Sequence, residues 1–148
     1  MFKNSPNPKM KFPVLVLISL VMINCSSSKK SRAIESYSFE IFFGNTGGFS
    51  NINPIFSVKN NGDVFKKNNA TSDAFLLKKI EIPKIDSLYT LIAKSNFENL
   101  KINHISNLTH YIEIKSEKFT NKIMWHENSQ LPDEARKLHN FLLSAIKK

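Results

Sequence analysis

Residues 108–125 read LTHYIEIKSEKFTNKIMW, and this stretch decides the fold. Leu108, His110, Ile112 and Ile114 alternate with Thr109, Tyr111, Glu113 and Lys115, which is the two-residue period of a strand that buries one face. Ser116-Glu117-Lys118 supplies a turn, and Phe119, Ile123 and Trp125 carry the returning strand. A short hairpin can only pair its strands antiparallel. One face of the sheet is therefore apolar and needs a cover.

The flanking segments supply that cover. Upstream, Ile85, Leu88, Leu91 and Ile92 recur at helical spacing, with Pro83 suited to a first turn and Asp86 favourable near the positive end of the helix dipole. The spacing predicts a helix that ends near Ser95-Asn96. Downstream, Pro132-Asp133-Glu134 opens a closing helix with Ala135, Leu138, Leu142 and Ala145 on one stripe.

Further towards the N-terminus the strand period returns. Tyr37, Phe39, Ile41 and Phe43 alternate with Ser38, Glu40 and Phe42, and this strand is expected to stop at Gly44-Asn45-Thr46-Gly47-Gly48. Ile52, Pro54, Phe56 and Val58 restart the alternation. Asn60-Asn61-Gly62-Asp63 is a hairpin turn, Val64 and Phe65 begin the return, and another short strand is expected within residues 75–82. The expected class is α+β, an antiparallel sheet of five to six strands with two amphipathic helices on one face. Residues 34–148 form this single domain.

The first residues belong to something else. Lys3, Lys9 and Lys11 make a basic, acid-free start, followed by an apolar run over residues 12–23. As a helix that run covers about 18 Å, short of a bilayer core of about 30 Å. Residues 1–24 therefore read as a signal peptide, with Met10 an alternative start. The run ends at Met22-Ile23-Asn24-Cys25, before Ser26-Ser27-Ser28-Lys29-Lys30. This resembles a bacterial lipoprotein processing site of the relaxed Bacteroidota type, in which Cys25 becomes the acylated first residue of the mature protein and residues 25–33 its tether. Met22, Ile23 and Asn24 stand where the usual site has Leu, a small residue, and Gly or Ala.

The resemblance implies attachment to the bacterial outer membrane through acyl chains such as palmitate on Cys25, each buried methylene contributing about 0.8 kcal/mol. Residues 26–32 contain no acid. Surface-exported lipoproteins of this type resemble one another in carrying acids there, so the periplasmic side is implied. Cys25 is the only cysteine, and acylation would leave no thiol for a disulfide, a metal or a nucleophile.

The chain carries a net charge of +9, and removal of the three signal lysines leaves +6. Arg32 and Arg136 are the only arginines among 21 basic residues. Base readout leans on arginine, and no nucleic-acid motif is present. Scattered lysines read as a solvated face with some attraction to anionic headgroups or an acidic partner.

No catalytic pattern stands out. His104, His110, His126 and His139 have no metal-ligand spacing, and His126-Glu127 lacks the second histidine of a zinc-protease helix. A cluster of His110, Glu113 and His126 would be needed for an enzyme, but the alternation points Glu113 away from His110. Neither a cofactor nor an enzymatic activity is expected. Asp86-Ser87-Leu88 resembles a Bacteroidota O-glycosylation site with Ser87 as acceptor, and equally suits the first turn of a helix.

Thr46-Gly47-Gly48-Phe49 after the first strand, the Asn61-Gly62 hairpin, Asn96-Phe97-Glu98-Asn99-Leu100 closing the first helix, Thr109-His110-Tyr111-Ile112-Glu113-Ile114 and Leu131-Pro132 occur in a telling order. Together they resemble small exported proteins related to the emfourin-type inhibitors of thermolysin-like metalloproteases. The resemblance implies a contact surface at Gly47, Gly48 and Phe49. Ser50-Asn51 replaces the small residue and Gly that usually follow the Phe, and residues 65–82 are an added stretch. The functional expectation is a membrane-anchored periplasmic lipoprotein that acts as a non-catalytic binding module for an envelope protein. The alternative is inhibition of a metalloprotease through the Gly-Gly-Phe loop.

Overall fold

Ile41 shows how the sheet is built: it pairs with Val58 on one side and Ile114 on the other, and all three are fully buried. The computed structural model describes residues 37–48 and 53–147. Six strands occur in these residues: β1 (Phe39–Gly47), β2 (Ile55–Lys59), β3 (Asp63–Lys67), β4 (Phe75–Lys79), β5 (Leu108–Ser116) and β6 (Thr120–Trp125). Helix α1 (Ile82–Lys94) separates β4 from β5, and α2 (Asp133–Ile146) follows β6. The strands lie in the order β4-β3-β2-β1-β5-β6, with every neighbouring pair antiparallel. The fold is α+β, as the alternation and helical stripes predict. These residues belong to one compact unit, Ala33–Lys148.

The core lies between the sheet and the helices. Phe39, Ile41 and Phe43 of β1, Val58 of β2, Val64 of β3, Ile112 and Ile114 of β5 and Ile123 of β6 join one cluster with Ile85, Leu88 and Ile92 of α1 and Ala135, Leu138 and Leu142 of α2. Full burial of each large aliphatic side chain contributes about 1.5–3 kcal/mol. The predicted stripes of both helices are thus the buried ones. α1 ends at Ser95, whose N–H bonds the Leu91 carbonyl at 2.9 Å. Asn96 then turns the chain at φ 48° and drops Phe97 into the core. No described helix is long and apolar enough to cross a membrane.

β1 departs from the expected boundary, because it runs through Gly44 and ends at Gly47. Gly44 is flanked by Ile55 and Tyr111 on the two neighbouring strands. A Cβ there would stand 2.8 Å from the Pro54 carbonyl oxygen, and the Tyr111 ring lies 3.6 Å from the same point. The glycine lets the Pro54 backbone carbonyl approach closely within a continuing strand. Other limits also shift: β2 begins at Ile55, and β4 stops at Lys79 because Ile82 and Pro83 open α1.

Gly47 is the position where only glycine fits. Its φ is +87°, and a Cβ would collide with the Asn107 carbonyl oxygen, a backbone atom that cannot swing aside. Gly47→Ala is expected to cost about 2–3 kcal/mol from combined strain and overlap, read as a lower urea midpoint at unchanged slope. A neutral result would mean that the β1 end and residue 107 are not held together.

Candidate binding face

Strand alternation leaves the other side of the sheet without a helix. β1 presents Glu40, Phe42, Gly44 and Thr46 there, and the register carries the face across the neighbours: Ile55, Ser57 and Lys59 on β2, Phe65 and Lys67 on β3, Tyr111, Glu113 and Lys115 on β5, and Lys122 on β6. Phe42 sits in the phase that the sequence pattern assigns to solvent. That misplaced aromatic is the signal by which the face could have been found.

Three lysines lie over three aromatic rings. Lys115 Nζ stands 4.9 Å from the Phe42 centroid, Lys59 Nζ 4.9 Å from Phe65, and Lys122 Nζ 4.9 Å from Tyr111. Each is a diagonal cross-strand pair: Lys115 faces Glu40 beside Phe42, Lys59 faces Glu40 while Phe65 faces Ser57, and Lys122 faces Glu113 beside Tyr111. Diagonal neighbours are about 7–8 Å apart, within reach of a long cation, and such contacts contribute about 0.5–1 kcal/mol at exposed sites. The pairs hold the rings in fixed orientations and leave the ammonium groups at the surface.

The acids on this face are engaged. Glu40 Oε1 accepts from Ser57 Oγ at 3.0 Å, and Glu113 pairs with Lys115 at 3.3 Å. A recess of about 260 Å³ opens over β1–β3, floored by Phe42, Ile55 and Phe65 and rimmed by Lys59 and Lys67. Another of about 260 Å³ lies towards the end of β1, among Asn45, Thr46, Gly47, Asn53, Tyr111 and Lys122. The Tyr111 phenol is pushed up to about 12, first by burial and then by Glu113. It stays neutral at physiological pH.

The helix side of β5 and β6 holds a separate group. His110 Nδ1 is 2.6 Å from Asn45 Oδ1. The Trp125 ring lies 5.7 Å from His110 and 4.9 Å from His139 of α2. A cleft of about 660 Å³ beside them includes Glu127, Leu131, Arg136 and His139. Burial, and then His110, lower His139 to about 4. Glu113 lies on the opposite face and His126 beyond β6, so His110, Glu113 and His126 are not brought together. Among the described residues no group of three His, Cys, Asp or Glu is placed to hold a metal ion.

The residues singled out by sequence fall in different places. Gly47 pairs with Leu108, and the Gly48 N–H donates to the Asn107 carbonyl at 2.6 Å. Asn53 Nδ2 donates to the Gly47 carbonyl at 2.6 Å. Phe49 lies outside the described residues, as do Cys25, the tether and the signal segment. Ser87 is exposed on α1, its hydroxyl bonded to the Pro83 carbonyl at 3.0 Å, while Leu88 beside it is fully buried. No protein-family model matches the chain, and no curated protein matches it significantly.

Proposed function

We propose that the protein is a periplasm-facing lipoprotein, held at the outer membrane through Cys25, whose domain binds an envelope protein without catalysis through the uncovered face of its sheet. The observation that carries this reading is the pair of half-buried, lysine-capped rings Phe42 and Phe65, beside the buried Tyr111 under Lys122, on a face that no described helix covers. Rigid aromatics ringed by polar groups are the usual anchors of protein contacts. The surplus of lysine favours a partner that is acidic around an apolar centre. The short apolar run before Cys25 and the acid-free segment after it support the anchoring.

The test separates anchoring from binding. Cys25→Ser should release the protein from the membrane fraction and leave its circular dichroism unchanged. Lys59→Glu, Lys115→Glu and Lys122→Glu together should keep it on the membrane and abolish cross-linking to its envelope partner from a probe on the sheet face. Equal cross-linking by this variant would remove the face from consideration.

Inhibition of a thermolysin-like metalloprotease through Gly47, Gly48 and Phe49 is favoured by one observation. The bonds at Gly48 and Asn53 hold both ends of the intervening segment against β1 and residue 107, which suits a loop presented to a protease cleft. Titrating the detergent-solubilised chain against such a protease, beside Phe49→Ala, decides it. Inhibition lost in Phe49→Ala would make this the function, and none by the folded chain would eliminate it. Glycosylation at Ser87 is read by the mass of the protein isolated from its host, beside Ser87→Ala.

A further inference from the structure

The two edges of the sheet are treated differently. On β6 the outer edge is occupied: Met124 N–H donates to the Ile102 carbonyl at 2.9 Å, and His104 N–H to the Met124 carbonyl at 2.9 Å. On β4 no strand among the described residues pairs with the outer side. Every strand directs its backbone N–H and C=O groups alternately to its two sides, so β4 presents outward groups that no backbone among the described residues pairs. Its side chains are unusual for such a place. Phe75, Leu76 and Leu77 are consecutive and 45%, 56% and 37% exposed.

Charge narrows the occupant. The β3–β4 hairpin strands carry Lys66, Lys67, Lys78 and Lys79 against one acid, Asp63, which already pairs with Lys79 at 3.4 Å. We propose that the β4 edge is a strand-addition site that takes an extended segment of a partner protein, with acidic and apolar residues alternating, as a seventh strand. Backbone pairing supplies affinity. Phe75 and Leu76 stand across from Lys66 and Phe65 and so face opposite sides of the sheet. The apolar side of the segment packs beside one of them while its carboxylates meet the lysines on the other side. A second copy of this chain fits less well, because β4 against β4 would double the lysines, with acids only at the flanking Asp73 and Glu81. The lysines and the register shift at Val64/Phe65 also fit an edge guarded against indiscriminate pairing, while an acidic strand turns that guard into attraction. This surface is distinct from the sheet face and stands whether or not that face is used.

The experiment uses the detergent-solubilised full chain and three labelled peptides: alternating glutamate and valine, alternating lysine and valine, and the glutamate peptide N-methylated along its pairing side. The glutamate peptide should bind, weaken with salt, and protect the β4 amides from hydrogen exchange. The lysine and N-methylated peptides should bind about tenfold more weakly or not at all. Lys78→Glu with Lys79→Glu should reverse the preference between the two charged peptides, a change that leaves the apolar triplet and the core intact. Absence of binding, equal binding of all three peptides, or β4 protection caused by self-association in sedimentation would each overturn the proposal.

Discussion

Phe43→Ala is expected to remove about 4 kcal/mol of stability, the largest loss from any single substitution considered for this domain. Phe43 is 1% exposed in β1, the strand that joins the two halves of the sheet. It faces Phe56 on one side and Ile112 on the other, with its ring stacked 5.6 Å from that of Phe56. Truncation empties a space bounded by a sheet that cannot close up, and buried Phe→Ala changes cost about 3–5 kcal/mol. A domain of this size has about 5–15 kcal/mol in all, so the urea midpoint should fall by about a quarter or more. Phe42→Ala, one residue away on the other face, should cost about 1 kcal/mol, since its ring is partly exposed and its cation contact is a surface one. Equal losses at the two positions would contradict the assignment of the two faces.

Acid should weaken the domain through His139. Its folded pKa is depressed to about 4, first by burial and then by His110, below the usual value near 6.5. A depressed histidine is bound less tightly by protons when folded, so the associated stability is fully present above about pH 6.5 and is lost as pH falls towards 4. The site is only partly enclosed, and solvent screening reduces the contribution to about 2 kcal/mol. His110 on β5, and Glu127, Asp133 and Arg136 at the cleft, are the other charged or titratable neighbours. The urea midpoint should drop between pH 7 and pH 4, and His139→Leu should flatten that drop relative to the parent chain. Parallel curves for the two proteins would show that His139 does not titrate differently on folding.

Much of this architecture is legible in the chain because local patterns and burial agree. The alternation through Leu108–Ser116, the Asn61-Gly62 turn and the stripe Ala135, Leu138, Leu142 and Ala145 each report a neighbour within a few residues or a single buried side. Gly44 misleads because glycine in a strand usually marks its end, and the reason for this one, the Pro54 carbonyl on the way into the neighbouring strand, appears only once β1 and β2 are paired. Strand order is hidden for the same reason: nothing near Ile41 says that Ile114 will be its partner. The binding face needed the register before Phe42, Phe65 and Tyr111 could be seen together. Cys25 and Phe49 remain readings of the sequence, since both lie outside the described residues.

Among the described strands β1 is synthesised first, and both halves of the sheet depend on it. Its partner β5 follows only after β2, β3, β4 and α1, so the Ile41–Ile114 contact closes a long loop. Loop closure of this kind slows folding, and it comes late when a chain emerges from one end. Until β5 is available, the inward side of β1 has half its pairing and no floor for α2. The domain therefore stays loose until β5 has been made and locks in one late step, so a chain halted before residue 108 would remain open along a whole side of β1.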